Sequence, residues 1–187
     1  MWNRSHASPS SSRIRRRRSV VFIELLLLST LSFFAFGYQV HEKAILLVLP
    51  TMVPLVLANA IYARLFLVLS VAGTYSLFPL LYREAETPIK VLLLLAHVLF
   101  LGASYTAHFP RVGPPLRWWH SLPLVSGREA AYLLGFVPLQ LATSLGPWLA
   151  PALAARLPFL PLAVTSVYCA IGVLYVYGRL LKHFAAV

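Results

Sequence analysis

Residues 19–47 read SVVFIELLLLSTLSFFAFGYQVHEKAILL: an apolar run, a polar turn carrying His41, Glu42 and Lys43, and the start of a second apolar run. At about 1.5 Å rise per residue, ~20 apolar residues in a helix cross the hydrocarbon of a bilayer, and the run from Ser19 to Phe36 is close to that length. Similar runs recur along the chain. A backbone surrounded by lipid must satisfy its own hydrogen bonds, so each run is expected to be helical. Mean hydropathy is +0.77 and charged residues make up 11% of the chain, where a soluble domain carries ~25%. These values exclude an ordinary soluble fold. They define an all-α, polytopic membrane helix bundle.

Six spans are readable, at about 19–36, 44–60, 65–82, 88–107, 129–149 and 158–178. Pro50 and Pro54 are expected to kink the second and Pro138 and Pro147 the fifth, which is tolerated where neighbouring helices satisfy the freed carbonyls. Pro88 and Pro158 stand at helix starts, where a missing N–H costs little. Residues 1–18, rich in Ser and Arg, are expected to be a disordered basic leader ahead of a membrane domain at 19–187. The leader and first run resemble a signal sequence, but the run is long and lacks a small-residue cleavage site, which favours an uncleaved anchor. Glu24 sits about a turn and a half inside, within reach of the arginines. Residues 108–128 form a Pro/Gly-rich loop that places Trp118 and Trp119 at headgroup level.

The net charge of +11 is sorted by position. Arg4, Arg13, Arg15, Arg16, Arg17 and Arg18 precede the first run, and Arg64, Arg111, Arg117, Arg128, Arg179 and Lys182 fall on the same side if the spans alternate. Only Lys43, Arg83, Lys90 and Arg156 fall opposite. Basic loops resist translocation, so the first side is expected to be cytosolic. His41, Glu42, Lys43, Glu84 and Glu86 then face the other compartment. No aromatic residues interleave the arginines as base-stacking platforms do, so no nucleic-acid partner is expected; the bilayer is the partner. Cys169 is the only cysteine, so neither an intrachain disulfide nor a Cys-based metal cage can form, and the thiol is expected in packing.

The triplet at 41–43 has two open readings. His-Glu begins the zinc-protease helix pattern, but that pattern needs His four positions on and residue 45 is Ile, so no metal is expected. One remaining reading is a solvated turn between two spans. The other is a phosphate site, with Lys43 as a point charge, His41 as a hydrogen-bond donor and Glu42 orienting either of them.

The wider context favours the second. FGYQVHEKAILLVLP (Phe36 to Pro50) resembles the signature of the endoplasmic-reticulum glucosyltransferases that use dolichyl phosphate glucose. Further blocks resemble the same family in order: YSLFPLL (Tyr75 to Leu81), ETPIK (Glu86 to Lys90), YLLGFVPL (Tyr132 to Leu139) and PFLPLAVTSVYCAIGVLY (Pro158 to Tyr175). The YSLFPLL and TSVYCA blocks are more similar to the member that adds the second glucose than to the one that adds the first.

The resemblance implies a transferase of the GT-C class in the endoplasmic-reticulum membrane, working on the lumenal face. Its members move glucose from dolichyl phosphate glucose to a dolichyl diphosphate oligosaccharide in N-glycan precursor assembly, with inversion and without a cofactor. Carried over to this sequence, the substrate-binding residues are His41 and Lys43, at the donor phosphate, and Glu42, orienting them. Family members are much longer, and their base is normally an aspartate in a first lumenal loop. All five acidic residues here are glutamate, so the catalytic residue is unassigned and Glu84 or Glu86 is a poor substitute. The expectation is therefore a C-terminal portion: a truncated gene model, a short isoform, or a chain that assembles with a separate N-terminal piece.

The alternative is a catalytically inactive membrane fragment that binds the lipid donor or the full-length enzyme. A transporter would show inverted repeats, and none is visible. His97 is expected as a satisfied packing histidine. His108, His120 and His183 lack ligand spacing, and the Asn3 sequon should be cytosolic and unmodified.

Overall fold

A computed structural model describes residues 9–80, 86–109 and 125–185. Asn3, Arg83, Glu84, Trp118, Trp119 and His120, with most of the 108–128 loop, lie outside the described residues. Eight α-helices occur within them: α1 Pro9–Phe36, α2 Ile45–Val56, α3 Ala60–Ser76, α4 Thr87–His108, α5 Gly127–Leu134, α6 Phe136–Leu149, α7 Pro151–Arg156 and α8 Leu160–Ala185. Short 3-10 turns at Glu42–Ala44 and Phe78–Leu80 join them.

The helix boundaries depart from the expected spans in five places, one being the third span, which is helical over Ala60–Ser76 rather than about 65–82. Helix α1 begins at Pro9, so residues 9–18, expected as a disordered leader, continue the first span as helix. Proline is suited to a first helical position, arginine is a good helix former, and extending a nucleated helix costs little. The second span shrinks to the 12 residues of α2, about 18 Å long. It ends because Asn59 caps the next helix, its side chain accepting from Ile61 N at 3.1 Å. The fifth span divides into α5 and α6 at Gly135, and the last runs on to Ala185. Four helices (α1 from Arg17, α3 with its following turn, α4 and α8) are each long and apolar enough to cross a bilayer.

Helix α3 is the axis. It is buried nearly all round, from Tyr62 and Ala63 through Leu65, Leu67 and Leu69 to Tyr75. The others bury one stripe against it, at helical spacing: Glu24, Leu27 and Leu31 on α1; Ile45, Val48, Met52 and Leu55 on α2; Thr165, Cys169, Gly172, Val176 and Leu180 on α8. The exposed prolines of α2, Pro50 and Pro54, lie off its packed stripe.

Side-chain contacts relate the passes to one another. Tyr62 at the start of α3 donates to Glu24 of α1, so α1 and α3 run in the same sense. Ile45 at the start of α2 packs on Gly73 near the end of α3, so α2 returns between them. His97 of α4 lies 3.1 Å from Ser70 Oγ. Helix α5 starts level with the start of α3, through Glu129 and Arg64, and α6 reaches its far end, through Tyr75 and Gln140. Helix α8 returns, ending with His183 edge-on to Tyr62 at 5.3 Å. Among the described residues, successive segments thus run back and forth, and four of them are long enough to cross a bilayer. Arg17, Arg18, Arg64, Arg128, Arg179 and Lys182 gather at one end, and Lys43, Lys90 and Arg156 at the other.

Helices α5 and α8 are held by a reciprocal clasp. Tyr132 donates to the Tyr168 carbonyl at 3.0 Å, and Tyr168 donates to the Tyr132 carbonyl at 2.6 Å. The two rings stack at 4.9 Å, 7° from parallel. Each hydroxyl sits where the partner helix has no side chain: a β-carbon at Gly135 would strike Tyr168, and one at Gly172 would strike Tyr132. Gly178, farther along α8, has open space around it. Overpacking costs ~1–3 kcal/mol, whereas relieving a mid-helix glycine in open space gains ~0.5–1 kcal/mol. Thermal unfolding in detergent should therefore show Gly135→Ala and Gly172→Ala melting lower than the parent and Gly178→Ala no lower; equal shifts for all three would refute the clasp.

Candidate functional site

The two ends of the bundle differ in chemistry. At the arginine-rich end, Glu129 is 2% exposed and its carboxylate is saturated. Oε1 meets Arg64 Nε at 3.2 Å and the Tyr175 hydroxyl at 2.6 Å, and Oε2 accepts from Ser126 N at 2.9 Å and from its hydroxyl at 2.8 Å. The Ser126–Glu129 spacing is a helix-capping box, which starts α5 at Gly127. Glu24 is likewise buried and bonded to Tyr62. Both glutamates are structural in this geometry and stand far from the opposite end.

At that opposite end the chain leaves α1 through Gly37 and Gln39, whose φ of 53° is left-handed. Such a conformation costs a non-glycine residue ~1–2 kcal/mol. The bend turns the chain into α2, with His41 extended and Glu42–Ala44 in a 3-10 turn closed by Ala44 N to His41 O at 2.8 Å. His41, Glu42 and Lys43 are all exposed. None of the three makes an ion pair or a side-chain hydrogen bond with another described residue. The structure therefore presents the triplet together on one exposed turn.

Toward the same end of the bundle lies a cavity of about 300 Å3 that sequence reading did not anticipate. Tyr75, Thr87, Lys90, Gln140, Thr143 and Ser144 are among its lining residues. A relay runs along one wall: Tyr75 donates to Gln140 Oε1 at 2.9 Å, and Gln140 Nε2 donates to Ser144 Oγ at 2.8 Å. The sequence did carry a trace of it, because Gln140, Thr143 and Ser144 stand at i, i+3 and i+4, one polar stripe in an apolar span. A polar stripe within a membrane faces the bundle interior.

Four other ionisable residues are placed as follows. His97 sits against Ser70 Oγ, as a packing histidine does. His108 stacks edge-on with Phe109 at 4.8 Å. Glu86 stands at the N-cap of α4, and Cys169 is buried.

The model of the ALG6, ALG8 glycosyltransferase family matches residues 7–180. The chain belongs to that family. The match takes in the triplet, the cavity and the Glu129 cluster. Among curated proteins, the chain is 41% identical to the mouse dolichyl pyrophosphate Glc1Man9GlcNAc2 alpha-1,3-glucosyltransferase over 161 residues, covering 85% of the chain and 28% of the mouse protein. It is 41% identical to the probable enzyme of that name in Drosophila melanogaster, covering 88% of the chain and 30% of the fly protein. The Arabidopsis thaliana enzyme of that name is 32% identical, with 76% and 28% covered. The chain thus spans less than a third of the length of these relatives. No solved structure matches it.

The contrast between the two ends is measurable. Substituting an exposed residue without partners usually changes stability by less than ~0.5 kcal/mol, while removing one member of a buried ion pair costs ~3–5 kcal/mol. His41→Ala, Glu42→Ala and Lys43→Ala should each melt with the parent, and Glu129→Ala should melt well below it. A triplet variant as destabilised as Glu129→Ala would make the turn structural.

Proposed function

We propose that this chain is the donor-binding portion of an α-1,3-glucosyltransferase that moves glucose from dolichyl phosphate glucose to a dolichyl diphosphate oligosaccharide. The carrying observation is the outward turn at 41–43. Three polar residues are held together there, unpaired with any described residue, at the arginine-poor end of a bundle in a glycosyltransferase family. The names of the relatives support the reaction and the acceptor. The charge asymmetry supports a lumenal position for the turn, since arginine-rich ends stay cytosolic, and N-glycan precursor assembly puts that lumen in the endoplasmic reticulum.

Glucosyl transfer with inversion needs a base for the acceptor hydroxyl and a counter-charge for the departing phosphate. Lys43 supplies the counter-charge, His41 donates to a phosphate oxygen, and Glu42 orients them. None of these needs to move, because the 3-10 turn and the left-handed Gln39 already hold the three outward. The base is not assigned within this chain. Glu24 and Glu129 are engaged at the wrong end, and the sequence has no aspartate. In this reading the base comes from a part of the family protein that the chain does not cover.

The test uses the purified chain in nanodiscs with dolichyl phosphate glucose and the monoglucosylated acceptor. Donor binding without turnover is expected. Removing one charge-assisted hydrogen bond costs ~1.5–3 kcal/mol, so Lys43→Ala and His41→Ala should each weaken binding about tenfold or more. Binding that is indifferent to both substitutions would refute the assignment, and turnover by the chain alone would refute the missing base.

A further inference from the structure

The arginine-rich end of the bundle carries more positive charge than its own acidic residues can balance. Arg13, Arg15, Arg16, Arg17 and Arg18 stand on α1, with Arg64 on α3, Arg128 on α5, and Arg179 and Lys182 on α8. Glu24 and Glu129 are the acidic residues described at this end. Both are engaged, Glu24 with Tyr62 and Glu129 with Arg64, Tyr175 and Ser126. Arg17, Arg18, Arg128 and Lys182 are exposed and make no ion pair among the described residues. Like charges gathered this closely repel one another, so the end is built to be met by anions from outside the described chain.

Helix α1 decides where most of that charge sits. It is continuous from Pro9 to Phe36, so its arginines ride on the same rod as the apolar run that begins at Val20. Positions 15 to 18 follow one another at steps of about 100°, which spreads them round the whole circumference of the helix. From Arg13 to Arg18 the rise is about 7.5 Å, close to the ~5–8 Å of one headgroup layer. Arg17 stands seven residues before Glu24, about 10 Å beyond the Glu24–Tyr62 tie. His183, near the end of α8, packs on Tyr62 at that tie, so the arginines of α1 lie outside the level at which α3 begins and α8 ends.

We propose that these arginines form a collar that gathers several anionic phospholipids, of the phosphatidylserine type, round α1 in the leaflet it crosses. The arrangement favours lipid over a macromolecule. A protein or nucleic-acid partner would meet one side of a helix, whereas headgroups surround a helix that passes through them. Only Ser19 separates the last arginine from the apolar run, which sets the collar at the edge of the hydrocarbon, where basic clusters attract anionic lipid. Selection by a collar is by charge and not by headgroup shape, so it weakens with salt. Neither the 41–43 turn nor glucosyl transfer takes part.

The experiment places the 187-residue chain in phosphatidylcholine nanodiscs containing spin-labelled lipid and measures by electron paramagnetic resonance how much label is held at the protein. Both leaflets of a nanodisc have one composition, so the outcome is independent of which compartment the collar faces. Labelled phosphatidylserine should be held about threefold or more over labelled phosphatidylcholine. The preference should fall below about twofold in ~0.5 M salt. It should fall as far when Arg15→Gln, Arg16→Gln, Arg17→Gln and Arg18→Gln are combined, a change that keeps good helix formers and should leave the melting temperature in phosphatidylcholine unchanged. Ser10→Glu, Ser11→Glu and Ser12→Glu together should also weaken the preference. Acidic residues suit the first turn of a helix, so that loss would not come from melting α1. Arg156→Gln, at the opposite end, should leave the preference as it is.

Equal retention of the two lipids by the parent chain would overturn the proposal, as would a preference that survives the fourfold arginine replacement. Loss in Arg128→Gln combined with Lys182→Gln, without loss in the α1 variant, would move the anion site to the bundle end and reject the collar. A phosphoinositide held about a hundredfold over phosphatidylserine would point to a pocket for one headgroup, against selection by charge. Displacement of the labelled lipid by submicromolar oligouridylate would make the collar a nucleic-acid contact instead.

Discussion

The buried pairing of Glu129 with Arg64 is the constraint on which the arrangement depends. A carboxylate that is 2% exposed in an apolar bundle is tolerable only when its oxygens are all engaged, and here Arg64, Tyr175 and Ser126 engage them. These partners sit on α3, α8 and the start of α5. One charge therefore sets the relative height of three helices. The Glu24–Tyr62 bond does the same for α1 against α3, so polar ties gather at the end of the bundle where the arginines lie. Above them, the Tyr132–Tyr168 clasp holds α5 to α8 with no charge at all.

The other end differs in character. There the chain carries an exposed turn with His41, Glu42 and Lys43, and a polar cavity at the mouth of an apolar groove. Helix α4 has little packing of its own beyond α3, which leaves an apolar seam on its α6 side. The Glu129 cluster and the 41–43 turn thus lie toward opposite ends of one central helix, α3.

Much of this was legible in the residues. Hydropathy and length marked the all-α membrane bundle, whose long apolar helices α1, α3, α4 and α8 bear that class out, because these are properties of each segment alone. The triplet stood out because polar residues between apolar runs need a reason. Features that depend on two distant segments were not legible. Glu129 read as the edge of a span, although Ser126 three residues earlier marked a capping box; its pairing with Arg64 is a fact of helix packing. The shortness of α2 came from the Asn59 cap, and the helical start at Pro9 from propagation of α1 into its basic leader. The Lys90 cavity draws its walls from α3, α4, α6 and α8, and no local pattern could assemble it.

The turn at 41–43 and the Lys90 cavity lie toward one end of the bundle, opposite the Glu129 cluster. Cys169 is the only cysteine and is buried, so single cysteines can be read against a quiet background. In sealed microsomes treated with a membrane-impermeant maleimide, Arg128→Cys and Lys182→Cys should label directly, whereas Lys43→Cys, Ser144→Cys and Arg156→Cys should label only after permeabilisation. Direct labelling at Lys43 or Ser144 together with Lys182 would place both ends in one compartment and contradict the account.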